Sequence, residues 1–333
     1  MDPQRRLLWF RRLALSGAAL AATVVVLGAW VRLTDAGLGC PDWPGCYGHI
    51  YPHADHNFSK AIHEMIHRYF ASTLGMVIVG LLAWAVWSRK NRGQPLTAVA
   101  LLFVLVCAQG ALGALTVTLL LKPLIVTAHL LGGLSTLGIL WWLSLTPERR
   151  ELSPPELGLR RFAIAAGVAL LLQIALGGWT STNYAAVACP DFPTCQQSWW
   201  PPMDFRDAFV LWRGLDIDYT GGVLANSARV AIHVTHRIGA GLAGSLLLLA
   251  GALTVARAHT RRLRFVGGLL MGAVLLQIGI GITMVRLGMP ILAATLHNAG
   301  AAFLVLCMVT LLRLLWPESL IGVVPLRDVQ RPQ

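Results

Sequence analysis

Eight stretches of this sequence contain no Asp, Glu, Lys or Arg: Leu13–Val31, Tyr69–Trp87, Leu96–Leu121, Pro123–Pro147, Phe162–Pro190, Ile238–Ala256, Phe265–Val285 and Leu287–Leu312. A helix needs about 20 apolar residues to cross a bilayer core, and each stretch meets that length. Membrane barrels alternate apolar and polar residues with a period of two, and these stretches do not. With 13% charged residues, against about 25% in ordinary soluble domains, little chain is left for a soluble body. A cytosolic enzyme, a secreted disulfide scaffold and a disordered tail protein are excluded. The expected fold is all-α: a polytopic membrane protein with eight transmembrane helices. The first stretch has an Arg-rich start, as a signal peptide does. Its 19 charge-free residues exceed the 7–15 of a signal core, so it reads as a retained span.

The net charge of +12 is distributed in a telling way. In an eight-span topology, 18 of the 27 Lys and Arg fall on one side, among them Arg5, Arg6, Arg160, Arg161, Arg261 and Arg262. That is the positive-inside pattern, with both termini cytoplasmic. The basic excess reports orientation, not a nucleic-acid partner.

The chain is also built twice. Gly39-Cys40-Pro41-Asp42-Trp43-Pro44-Gly45-Cys46 returns as Ala188-Cys189-Pro190-Asp191-Phe192-Pro193-Thr194-Cys195, and His67-Arg68 returns as His236-Arg237. Gln109 precedes His129 by twenty residues, as Gln277 precedes His297. Only the stretch between the second cysteine pair and His236 is longer, by about twenty residues. Two tandem four-helix bundles follow, residues 1–150 and 151–333, joined by a polar linker at Pro147–Arg161. Because each half has an even number of spans, the two share one orientation, with a pseudo-two-fold axis along the membrane normal.

His67, His129, His236 and His297 are each expected about six or seven residues inside the outer end of their spans, His67 and His236 just ahead of the charge-free stretches. Ionisable side chains at membrane depth are costly and point to function. Paired imidazoles at one level on facing helices are how a haem is held in a bundle. Nearby glycines at 110, 113, 132, 133, 239, 241 and 300 allow close helix approach or room for a flat ring. Arg68 and Arg237, next to two of the histidines, are candidates to pair with haem propionates. A competing motif is His63-Glu64-Met65-Ile66-His67, which reads as the H-E-x-x-H of zinc proteases. The repeat keeps His67 as His236 but replaces His63 by Ile232 and Glu64 by His233, and no third ligand follows. His49, His53 and His56 read as solvated loop residues. Cys107 and Cys307 fall within spans and read as packing thiols. Cys40, Cys46, Cys189 and Cys195 fall in outer loops, where an oxidising compartment permits two disulfides or two redox-active pairs.

Together, the first cysteine motif, Glu64-Met65-Ile66-His67-Arg68, Thr127-Ala128-His129, His236-Arg237 and Leu296-His297-Asn298 resemble the heme A synthase family. These membrane enzymes finish the haem of aa3-type cytochrome oxidases. The resemblance spans nearly all eight stretches, and its specificity lies in the combination. It implies oxidation of the C8 methyl of haem O to a formyl group by two successive hydroxylations, the second giving a gem-diol that loses water. It implies His67 and His129 as the substrate-haem pair, Glu64 as the catalytic acid group, and His236 and His297 as ligands of a haem b cofactor. It further implies a location in the inner membrane, with haem O synthase and cytochrome oxidase assembly factors as partners. A carrier with two haem b groups and no chemistry on them, or a zinc metalloprotease in the membrane, are the other readings the residues allow.

Overall fold

The computed structural model describes residues 3–52, 57–88, 95–146 and 154–316. Its long helices are α1 (Pro3–Leu33), α2 (Phe58–Trp87), α3 (Leu96–Thr118), α4 (Pro123–Ser144), α5 (Pro154–Thr182), α7 (Asn226–Arg257), α8 (Arg261–Arg286) and α9 (Ile291–Leu314), with a one-turn α6 (Phe205–Ala208) in the outer loop after α5. All eight long helices are apolar and long enough to span a membrane. Among the described residues there is no strand, only isolated bridges in the two cysteine loops. The chain is an all-α, multi-pass membrane protein.

Pro154 and Pro155 were expected in the linker, yet they open α5. Proline is tolerated there because the first-turn amides have no intrahelical partner to lose. At the C-terminal ends of α3 and α8 the chain turns through left-handed residues, Leu120 and Leu121 in one case and Gly288 and Met289 in the other. Both turns close with the same bonds, Leu121 N to Thr116 O and Met289 N to Met284 O, each 2.8 Å. This double bonding satisfies the carbonyls that a helix end leaves open.

Helices α1 to α4 pack on one another in sequence, with α1 also against α4, and α5, α7, α8 and α9 do the same. The two groups meet through α1, α4, α5 and α9. Small residues let these helices approach: Gly138 faces Val305 and Val309, and Gly178 faces Thr127 and Leu130. Across the same seam Trp141 Nε1 donates to Thr310 Oγ1 at 2.8 Å. One core runs through both groups, from Phe10 and Leu81 to Leu270 and Leu311. Within a bilayer such close packing and interhelical bonds replace the hydrophobic drive of water.

The twenty-residue excess of the second half has a defined place. Between α6 and α7 the loop crosses back to the first half, where Tyr219 N donates to Leu120 O at 3.2 Å. The ammonium of Lys122, 2% exposed, donates to the Gly214 carbonyl and lies 3.6 Å from the centre of the Trp212 ring. A buried lysine needs such partners, because an unpaired cation is costly away from water.

Candidate functional site

Each of the four histidines rests on a glycine of the neighbouring helix. A Cβ on Gly28 would fall 2.9 Å from His67 Cε1, and one on Gly177 would fall 3.2 Å from His236 Cε1. Gly281 stands in the same relation to His297 at 3.1 Å, and Gly113 to His129 at 3.5 Å. Any side chain at the first three positions would displace the ring. His67 and His129 are within electrostatic reach of each other, as are His236 and His297. One pair therefore lies within α1–α4 and the other within α5–α9. In His67, His129 and His297 the buried, unbonded ring nitrogen is Nδ1, and no Nε2 is sealed in this way. This donor set suits an iron macrocycle, since paired imidazoles within reach of each other are its usual axial ligands.

Above each pair sits a cysteine loop. Cys40–Cys46 and Cys189–Cys195 are disulfides, and Cys107 and Cys307 are free. Cys307 is buried as expected, but Cys107 is exposed on the outer face of α3. Such an apolar thiol is at home in lipid as much as in a core. The loops are alike in detail. Asp42 accepts from Tyr47 N and Gly48 N at 2.6 and 2.7 Å, and Asp191 accepts from Gln196 N and Gln197 N at 2.6 and 3.0 Å. The Gly48 amide holds the Asp42 carboxyl below the usual carboxylate range. The Thr194 hydroxyl, and then the two amides, do the same for Asp191. Both loops carry a cis proline, Trp43-Pro44 and Phe192-Pro193.

Arg68 and Arg237, the propionate candidates, grip these loops. Arg68 Nη1 donates to the carbonyls of Asp42 and Gly45 at 2.9 and 2.6 Å. Arg237 donates to Thr194 O and Asp191 O, both at 2.8 Å. A guanidinium carries five donors and no acceptor, so it suits a ring of carbonyls.

Glu64 is 4% exposed and has a partner for each oxygen. Oε2 accepts from Cys40 N at 2.9 Å and Oε1 pairs with Arg68 Nη2 at 2.5 Å. The carboxylate is thus wired to the first disulfide loop, one turn from His67. His63, the other half of the zinc-like motif, turns its ring edge to Trp30 with centroids 6.3 Å apart. Among the described residues no three His, Cys, Asp or Glu converge as a metal cluster would require. His53 and His56 lie outside the described residues.

Sequence reasoning missed the seats at Gly28, Gly177 and Gly281, and the role of Gln173. Gln173 Nε2 lies 3.0 Å from His236 O and 3.1 Å from its Nδ1. The signal was present as a four-residue Gln-to-Gly spacing at 109/113, 173/177 and 277/281.

Two imidazole pairs in a duplicated eight-helix membrane bundle, each pair beneath an oxidised cysteine loop, define a haem-handling integral membrane protein. The chain belongs to the COX15-CtaA family, described as cytochrome oxidase assembly protein, whose profile matches residues 11–309. It is 40% identical over 332 residues to the heme A synthase of Shewanella oneidensis, covering 94% of this chain and 98% of that one. The heme A synthase of Halalkalibacterium halodurans is 27% identical, over 87% of this chain and 92% of its own. That of Symbiobacterium thermophilum is 29% identical, over 72% and 73%.

Proposed function

We propose that this protein is an oxidoreductase that makes haem A for cytochrome oxidase, by two hydroxylations of the C8 methyl of haem O followed by loss of water from the gem-diol. Residues 1–150 form the substrate half, where His67 and His129 hold the haem O iron. Residues 151–333 form the cofactor half, where His236 and His297 hold a haem b. That cofactor supplies one-electron chemistry when bound. Glu64 is the catalytic group, a fixed carboxylate one helical turn from a substrate ligand, able to accept a proton or to stabilise a developing positive charge. Arg68 and Arg237 keep the loops over the two sites, and propionates would compete with loop carbonyls for their remaining donors. Haem O synthase and cytochrome oxidase assembly factors are the expected partners.

One observation carries this reading. The two histidine pairs are seated alike, but only the first has a carboxylate beside it; His233 replaces Glu64 in the second. Glu64→Gln keeps the shape and a hydrogen-bonding oxygen while removing the charge. Chromatography of extracted haems should then show haem O or a hydroxylated intermediate in place of haem A, with the haem b spectrum retained. Undiminished haem A would refute the catalytic assignment and favour a simple electron carrier.

The membrane placement proposed is the inner membrane with both termini in the cytoplasm. Reporter fusions after Gly93 and His259 should read cytoplasm, and one after Asp216 the outside. The reverse pattern would overturn the topology.

A further inference from the structure

Three of the four histidines share one surround. On α3 and α4, Gln109 and Gly113 face His129 and Gly132; on α5 and α7, Gln173 and Gly177 face His236 and Gly239. On α8 and α9, Gln277 and Gly281 face His297 and Gly300. In each case the glutamine amide fills the space that the glycine three residues after the histidine leaves open. A Cβ on Gly132, Gly239 or Gly300 would overlap it. The fourth site breaks this pattern. Gly28 still seats His67, but Val24 stands at the glutamine position of α1 and Phe70 at the glycine position of α2.

The glutamines differ in what they bond. Gln277 Nε2 donates to the backbone carbonyl of His297 at 2.9 Å, and Gln173 Nε2 reaches both His236 O and its Nδ1 at 3.0 and 3.1 Å. Gln109 rests on Gly132 without such a bond to His129. An amide bonded to the carbonyl of the histidine itself pins two helices together at that residue. No water competes for the bond at membrane depth. The second half thus has both histidines pinned through their own carbonyls by a glutamine amide, and the first has neither pinned so; the His67 ring meets the Val24 backbone of α1, with no amide side chain at that position.

Resting on the reading that each half takes a haem, we propose that Gln173 and Gln277 are positioning residues that lock His236 and His297 in place. We further propose that His67, which lacks this glutamine pin, is the ligand that can withdraw and open one face of the substrate. An iron with two fixed imidazoles has no place for another ligand, so a site of chemistry needs one imidazole that can leave. A site of electron transfer needs none that can.

Carbon monoxide tests this without reference to turnover, because it binds a ferrous haem with two imidazoles only after one departs. Purified full-length protein, reconstituted with haem O and reduced with dithionite, should take up carbon monoxide readily in the first half and measurably more slowly in the second. Gln173→Leu and Gln277→Leu should retain haem b yet take up carbon monoxide about tenfold faster there, the factor a single interhelical hydrogen bond represents. The converse graft, Val24→Gln with Phe70→Gly, should slow uptake in the first half by a similar factor. Wild-type kinetics in the graft, or in both leucine variants, would overturn the lock. If the leucine variants lose their haem, the graft still decides. A wild-type protein lacking the low-spin spectrum of two imidazoles would instead sink the haem-site reading on which the proposal rests.

Discussion

In the first half, the Cys40 amide donates to Glu64 and Arg68 pairs with the same carboxylate. In the second half, Arg237 binds the Cys189 carbonyl at 3.1 Å, and the position of Glu64 is taken by a buried His233. The loops themselves are near copies, with the same disulfide, aspartate turn and arginine grip. Duplication kept the frame that places a histidine under a loop. What changed is the chemistry beneath it: a carboxylate in one half, glutamine pins in the other. The long outer loop of the second half adds a one-way tie, since it reaches over the first half to Lys122, and Pro290 stands at the matching position of the second. Similarity between the halves marks scaffold, and difference marks function.

The largest test of that division is His297→Ala. It removes an iron bond outright, so the second-half haem should fall from one per chain to none while haem O still binds in the first half, as read from haem content. Loss of both haems together would mean the halves are not separate sites. Glu64→Gln comes next, with haem A formation lowered by about 100-fold or more, the scale of general acid–base catalysis. His233→Gln should leave it near normal, and an equal loss in both would erase the asymmetry.

A finer comparison uses the histidine seats. Gly28→Ala puts a Cβ 2.9 Å from His67, whereas Gly113→Ala puts one 3.5 Å from His129 in ordinary contact. The first should cost about 1–3 kcal/mol through overpacking and alter the haem spectrum of the first half, and the second should do neither. Removing either disulfide should cost about 2 kcal/mol for so short a loop. Only loss of Cys40–Cys46 should also depress haem A formation, because the Cys40 amide holds Glu64. Thermal unfolding and haem extracts of the two double serine variants separate these effects.

The smallest effect expected is on acid tolerance. Asp42 and Asp191 both have lowered folded pKa values. Their contribution to loop stability is present above the unfolded value of about 3.9 and is lost as pH falls through the still lower folded value. Both loops should therefore resist proteolysis from neutral pH to about 4 and loosen only below it. Thr194→Val removes the largest cause acting on Asp191, so the second loop should loosen at a higher pH than before. The first loop, held mainly by the Gly48 amide, should not respond.

Much of the architecture was legible because membranes impose simple rules. Charge-free length located the eight spans, and the paired motifs exposed the duplication and the four histidines. Helix ends were less legible: α2 and α7 begin at Phe58 and Asn226, well outside their charge-free stretches, because Lys60, Arg68, Arg229 and Arg237 are carried on the helices themselves. The loop carbonyls that hold Arg68 and Arg237 were not legible, because adjacency to a histidine in sequence says nothing of direction. Successive helical residues point about 100° apart, and these two side chains reach the loops. The partner of Glu64 was hidden for a related reason, since Cys40 is 24 residues away.

By itself the sequence determined that this chain crosses a membrane eight times, which half repeats which, and which side chains are too costly at that depth to be idle. Each of these follows from composition along a single line of chain. Only the tertiary structure decided which glycine seats which histidine, which carbonyls hold each arginine, and that the amides of Gln173 and Gln277 bond the carbonyls of their histidines. Those contacts form between helices, and their geometry depends on how far apart two axes pack and how each helix is rotated. Neither quantity is written in the order of residues on one helix.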